Sequence, residues 1–102
     1  MVDRIPPLRV EVGWSGLVAT VIVGGGLDIT TASGLIERLG EVVDARPEWL
    51  VLDFAGLVFL DAAGARALDG AQKILAAICP VIVCDPRRSA GRASEITGLI
   101  ND

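Results

Sequence analysis

The 102-residue chain has no histidine and only two cysteines, and these two scarcities remove much of the chemistry a small domain could carry. Without imidazole, neither a Ser-His-Asp nor a Cys-His nucleophile can be assembled. Cys79 and Cys84 lack CxxC spacing, so a zinc site has no ligand set and no metal is expected. They bracket Pro80-Val-Ile-Val83, which reads as a strand. Five steps of ~3.3 Å would hold them about 16 Å apart, well past the roughly 7 Å a disulfide tolerates. Both are expected as small core residues in a reducing compartment.

Aromatic residues make up only 4% of the chain, so the core must be built from Val, Ile, Leu and Ala. Long hydrophobic runs are missing as well. Mean hydropathy is +0.58, yet Leu17 to Ala19 and Val21 to Val23 are split by Thr20 and fall far short of the ~20 residues of a spanning helix. The start, MVDRIPPLRV, has no apolar centre, so no signal peptide and a cytoplasmic location are expected. Basic charge is scarce too. Nine basic against thirteen acidic residues leave a net charge of −4, and Arg87-Arg88 is the only basic doublet. Such a surface repels phosphate backbones, which argues against a nucleic-acid partner.

What remains reads as one α/β domain over residues 1–102, with 1–7 a flexible end. Leu8, Val10, Val12 and Trp14 alternate with Arg9, Glu11 and Gly13, the period of an edge strand whose Arg9/Glu11 face stays exposed. Trp14-Ser15-Gly16 reads as a turn. Leu17 to Val23 then returns antiparallel, and Gly24-Gly25-Gly26 is expected to end that strand. A helix follows, capped by Thr30 or Thr31, with Ala32, Leu35, Ile36, Leu39, Val42 and Val43 on one stripe and Arg46-Pro47 closing it.

Trp49 to Phe54 is predicted as a parallel strand. Asp61 opens a second helix whose apolar stripe is Leu68, Ala71, Leu75 and Ile78. Arg66, Asp69, Gln72 and Lys73 are assigned to its wet face, with Asp69 and Lys73 forming an i,i+4 pair. Pro80 to Cys84 is the last strand. Asp85-Pro86 is predicted to cap a third helix lined by Ala93, Ile96, Thr97 and Ile100. The expected architecture is a mixed four-stranded sheet with an antiparallel edge hairpin, otherwise parallel, packed with about three helices.

Enzymatic readings find no support. In the glycine run, the last glycine of G-x-G-x-x-G is replaced by Ile29 and no G-K-[ST] follows, which leaves a nucleotide sensor as a weak third reading. Asp53 stands where response-regulator receivers carry a phosphoacceptor aspartate. The acidic pair after the first strand and the late-strand lysine of that family are absent, since the single lysine, Lys73, falls on a helix. Asp28 and Asp61 are different. Each suits a helix cap, and each lies at the carboxyl end of a strand, on the sheet edge where α/β folds place their sites. With Gly26, Thr30, Ala62, Ala63 and Gly64 they outline a docking surface whose small residues admit a partner's backbone, and Arg66 lies one turn further on.

Gly25-Gly-Leu-Asp28 followed by Thr31-Ala32, then Val51-Leu-Asp-Phe54, Phe59-Leu-Asp-Ala-Ala-Gly64 and Ile96-Thr-Gly-Leu99, resemble the STAS family. Its bacterial single-domain members are anti-sigma factor antagonists. The resemblance runs from Leu8 to Leu99 and implies a protein-binding regulator that is not an enzyme and needs no cofactor. In that family the partner, an anti-sigma factor that is also a GHKL-type kinase, phosphorylates a serine in an Asp-Ser-Ser-Gly turn and is thereby released. The resemblance aligns that serine with Ala63, which cannot accept phosphate, so constitutive binding is implied. Thr30, Thr31 and Ser33 are the nearest remaining hydroxyls. The last helix departs from the family where Ala90, Gly91, Ala93 and Ser94 stand. An alternative within the same resemblance is an accessory subunit on the ATPase of a lipid-transport ABC complex. Both leave direct membrane insertion out and a homodimer open.

Overall fold

The computed structural model describes residues 6–86 and, as backbone, 94–97. Seven elements follow in order: β1 (Arg9–Ser15), β2 (Val18–Leu27), α1 (Ile29–Asp44), β3 (Trp49–Leu60), α2 (Ala62–Ala76), β4 (Val81–Cys84) and β5 (Ser94–Thr97). They form one sheet in the spatial order β1-β2-β3-β4-β5. β1 runs antiparallel to β2, the β2/β3 and β3/β4 pairs are parallel, and β5 returns antiparallel along β4. The antiparallel edge hairpin and the parallel strands joined by helices match the expected architecture.

Both crossovers step the same way along the sheet, so right-handed connections set α1 and α2 side by side on one face. That face is the core. Val21, Leu52 and Val83 lie in one row of the register, Ala19, Leu50 and Val81 in the next, and all six are buried. Phe54 joins them, and Leu35, Leu39 and Val42 of α1 with Leu68 and Leu75 of α2 close the layer above. The opposite face alternates with it. Thr20, Val51, Asp53 and Ile82 are only half-buried there, and Arg9 and Glu11 are exposed as anticipated.

Several local expectations need correction. The hairpin turn is Gly16-Leu17, with Gly16 at φ 60°, and Trp14 and Ser15 belong to β1. The glycine run does not end β2, which continues to Leu27 through two irregularities in its pairing with β3. Gly24 sits directly opposite Gly56, where a side chain on Gly24 would press on the Arg9 guanidinium 2.9 Å away. β3 likewise runs six residues past Phe54, to Leu60.

Ile78 lies beyond α2 and is 61% exposed, whereas Gln72 is buried rather than wet. The third helix is corrected in part: Ile96 and Thr97 sit in β5, against Ile82 and Val81. Two β-branched residues after the helix-weakening Gly91 favour a strand there, and β4 offers an otherwise unpaired edge. Ala93 and Ile100 lie outside the described residues. No helix among the described residues is long and apolar enough to cross a membrane. Cys79 is buried, which pushes its thiol pKa up, while Cys84 is half-buried, and both are free.

Candidate functional site

β2 and β3 end level with each other: Leu27 pairs with Leu60, and the Asp61 amide donates to the Leu27 carbonyl at 3.4 Å. Two helices therefore start side by side from adjacent strands. Both starts are capped by aspartate, because a short carboxylate held in extended backbone can reach the unpaired amides of the first turn.

Asp28 is the cap of α1, in place of Thr30 or Thr31. Its Oδ1 accepts from the amides of Thr30 (2.9 Å) and Thr31 (3.0 Å) and from the Thr30 hydroxyl (2.6 Å). The Thr31 Oγ1 in turn accepts the Asp28 amide at 3.0 Å, closing a capping box with threonine in the usual Glu/Gln place. The Thr30 hydroxyl, followed by the Thr31 amide, holds the Asp28 carboxyl below its ordinary value of 3.8. The stability this cap supplies is therefore complete above the unfolded carboxyl's pKa. It is lost as pH falls through the lower folded value. In urea titrations at pH 6 and pH 3, Asp28→Asn is expected to be less stable than the parent at pH 6, with the gap narrowing at pH 3. An equal gap at both pH values would show that the carboxylate charge plays no part.

Asp61 caps α2 more simply, its Oδ1 accepting the Gly64 amide at 2.6 Å. Gly64 is the joint of the site. A Cβ there would lie 2.9 Å from the Leu27 carbonyl oxygen, 3.1 Å from the Asp28 Cα and 3.1 Å from Asp61 Oδ1. The first turn of α2 is thus pressed onto the turn that precedes α1, and only glycine fits the seam.

The structure brings Asp28, Thr30, Asp61, Ala62, Ala63 and Gly64 together on this edge. Thr30 and Ala62 are exposed, Asp28, Asp61 and Ala63 half-buried, and Arg66 is exposed one turn along α2. Gly26 is placed differently. It is buried in β2, where its amide donates to the Pro6 carbonyl at 3.0 Å and its carbonyl accepts from Thr31 Oγ1 at 3.4 Å, so it supports the turn from beneath.

Sequence reasoning overlooked Ile29, 58% exposed at the first position of α1, and Val58, 67% exposed on the late part of β3. Ile29 stands three residues before Ala32 and seven before Ile36, at the spacing of the core stripe, so periodicity alone does not mark it as exposed. Among the described residues no group of three His, Cys, Asp or Glu side chains could hold a metal ion. What the edge offers is two partly satisfied helix N-termini, two carboxylates and a small-residue, partly apolar surface.

Residues 11–101 match the STAS domain family. A stretch of 51 residues is 41% identical to the anti-sigma-F factor antagonist RsfB of Mycobacterium tuberculosis. That stretch is 50% of this chain and 42% of RsfB, so the match spans less than half of the relative's length. Among solved structures, an anti-sigma factor antagonist from Mycobacterium paratuberculosis superposes with a TM-score of 0.66 at 27% identity, over 80% of this chain and 72% of that one. The unphosphorylated form of the anti-sigma factor antagonist SpoIIAA gives 0.57 at 15% identity, over 78% and 68%, which speaks for the fold alone. With the family match covering nearly every residue between β1 and the carboxyl end, the chain belongs to the STAS domain family.

Proposed function

We propose that this chain is a regulatory protein-binding module of the anti-sigma factor antagonist kind, which presents the paired starts of α1 and α2 to an anti-sigma factor of the GHKL kinase type. The observation that carries the reading is the seam at Gly64, which locks two aspartate-capped helix starts into one rigid, small-residue surface. Relatives bearing the name anti-sigma factor antagonist support the choice of partner. The module performs no catalysis. Its contribution is shape and charge at Asp28, Thr30, Asp61, Ala62, Ala63, Gly64 and Arg66.

The binding is not gated by the usual phosphate. Ala62 and Ala63 open α2 where the family carries its serine turn, and neither side chain has an oxygen to modify. The nearby threonines are poor substitutes. Both Thr30 and Thr31 bond to Asp28, so a phosphate on either would set a double negative charge against the capping carboxylate.

The test is capture by purified baits followed by intact mass. Incubation with a GHKL-type anti-sigma factor and ATP is expected to yield a stable complex and no phosphate on the chain. A phosphate gained at Thr30, Thr31 or Ser33 would replace the ungated reading. Binding to the ATPase of a lipid-transport complex, with none to the kinase, would replace the partner.

A further inference from the structure

A second feature lies across α2 from Asp28. Between α2 and the carboxyl ends of β3 and β4 there is an open cleft of about 270 Å³, lined by Leu60, Ala65, Leu68, Asp69, Gln72 and Asp85. At a liquid share of ~30 Å³ per water, it has room for about nine waters, or for one long side chain. Ala65, Leu68, Asp69 and Gln72 recur at helical spacing, so one flank of α2 forms the whole near wall.

Gln72 makes this more than a surface dent. It is 6% exposed, and its side-chain amide makes no hydrogen bond to another described residue. No side-chain nitrogen or oxygen among the described residues is both sealed from solvent and unpaired, so this amide keeps its remaining contact with solvent where the cleft opens. Native proteins pair polar groups this confined, because leaving one without a partner is costly. Around it stand Asp69, which accepts from exposed Lys73 at 3.5 Å, and buried Asp85 on the far side. The Lys73 pair is solvated, so its net worth is small and it can exchange for a better donor.

We propose that this cleft is an anchor pocket for an arginine side chain of the protein partner. The inference rests on the protein-binding reading above and adds a second point of contact, on the same sheet edge as Asp61. Leu60, Ala65 and Leu68 give the aliphatic stem an apolar sleeve. The planar guanidinium then donates to the Gln72 Oε1 and to the Asp69 carboxylate at once, which a lysine ammonium, a single point charge, matches less well. Both groups favour a cation, and the chain's net charge of −4 steers one toward it. Arginine is also among the residues that most often carry binding energy at protein interfaces.

The test uses the intact chain and a small probe, Nα-acetyl-arginine methylamide, followed by amide NMR. Saturable shifts are expected at the Gln72 side-chain NH2 and at Asp69, in the millimolar range. The neutral citrulline analogue should bind at least about tenfold more weakly, because it loses the charge-assisted bonds. Asp69→Asn, on the exposed side and safe for the fold, and Gln72→Met should each weaken the probe by roughly tenfold, while Lys73→Ala should tighten it by removing the competitor.

No shift at Gln72, or equal binding of the citrulline analogue, would overturn the proposal. Free arginine or agmatine binding about a hundredfold tighter than the capped probe would reassign the cleft to a small molecule and overturn it too. Because the probe experiment contains no kinase, its failure is separable from failure of the capture experiment. Probe binding without capture sinks the kinase partner alone, and capture without probe binding sinks the anchor alone.

Discussion

Gly25→Val is expected to destabilise the domain by about 3 to 5 kcal/mol, combining a strained backbone with an overpacked contact. Gly25 has φ +85°, a region closed in practice to β-branched side chains. A Cβ there would also run into the Pro7 carbonyl oxygen and come within 2.9 Å of the Pro7 carbonyl carbon. Relieving the clash means lifting the Pro6–Leu8 strap, and with it the bond from the Gly26 amide to the Pro6 carbonyl. Since small domains hold only about 5–15 kcal/mol in total, the urea midpoint should fall sharply with an unchanged slope. Gly70→Ala is the control of opposite sign. That glycine lies inside α2, and a Cβ added there would meet nothing within 4 Å, so alanine should stabilise by about 0.5–1 kcal/mol. If Gly25→Val left the midpoint in place, the left-handed kink in β2 would be no requirement of the fold.

The same glycines show why parts of the fold were hidden in the sequence. The apolar run from Trp49 to Phe54 that holds Leu50, Leu52 and Phe54, and the helical stripe of Leu35, Leu39 and Val42, are local patterns, and the structure buries all six. Three consecutive glycines are equally local and point to a break. Yet the strand persists, because Gly24 faces Gly56 across β3 and Gly25 passes beneath Pro7. Those partners are distant along the chain, and no period can reveal them. β5 was missed for a related reason. Its residues acquire a partner only once β4 presents an open edge.

The candidate site was more legible than its supports. Asp61 could be read as a cap from position alone, since it follows a strand and precedes a helix, whereas at the start of α1 Asp28 competed with Thr30 and Thr31. The adjacency of the two aspartates depended on the parallel pairing that sets Leu27 beside Leu60. Choosing Asp28 over the threonines as cap took the geometry of its Oδ1, which accepts from the amides and hydroxyls of both Thr30 and Thr31. The burial of Gln72 was within reach of the sequence. It falls four residues after Leu68 and three before Leu75, on the buried stripe itself, and only its polarity points to the wet face.

Ala63→Glu is expected to separate binding from folding. Ala63 is the second residue of α2, half-buried beside Gly64, the glycine that forms the seam. A carboxylate at that depth of a helix start is favoured by the macrodipole by about 0.3–1 kcal/mol, so thermal unfolding should shift little. At a protein interface the same charge would be desolvated without a counter-ion, a loss of about 2–5 kcal/mol, or at least roughly 30-fold in affinity for the captured anti-sigma factor. Ala63→Gln separates size from charge: it should weaken binding less, because the amide can be satisfied where the carboxylate cannot. Ala63→Ser carries the complementary expectation. Given kinase and ATP it should acquire one phosphate and then release its partner, provided the surrounding turn is recognised. Undiminished affinity in Ala63→Glu would mean that the start of α2 is not where the partner sits, and the docking surface would have to be sought elsewhere on the sheet.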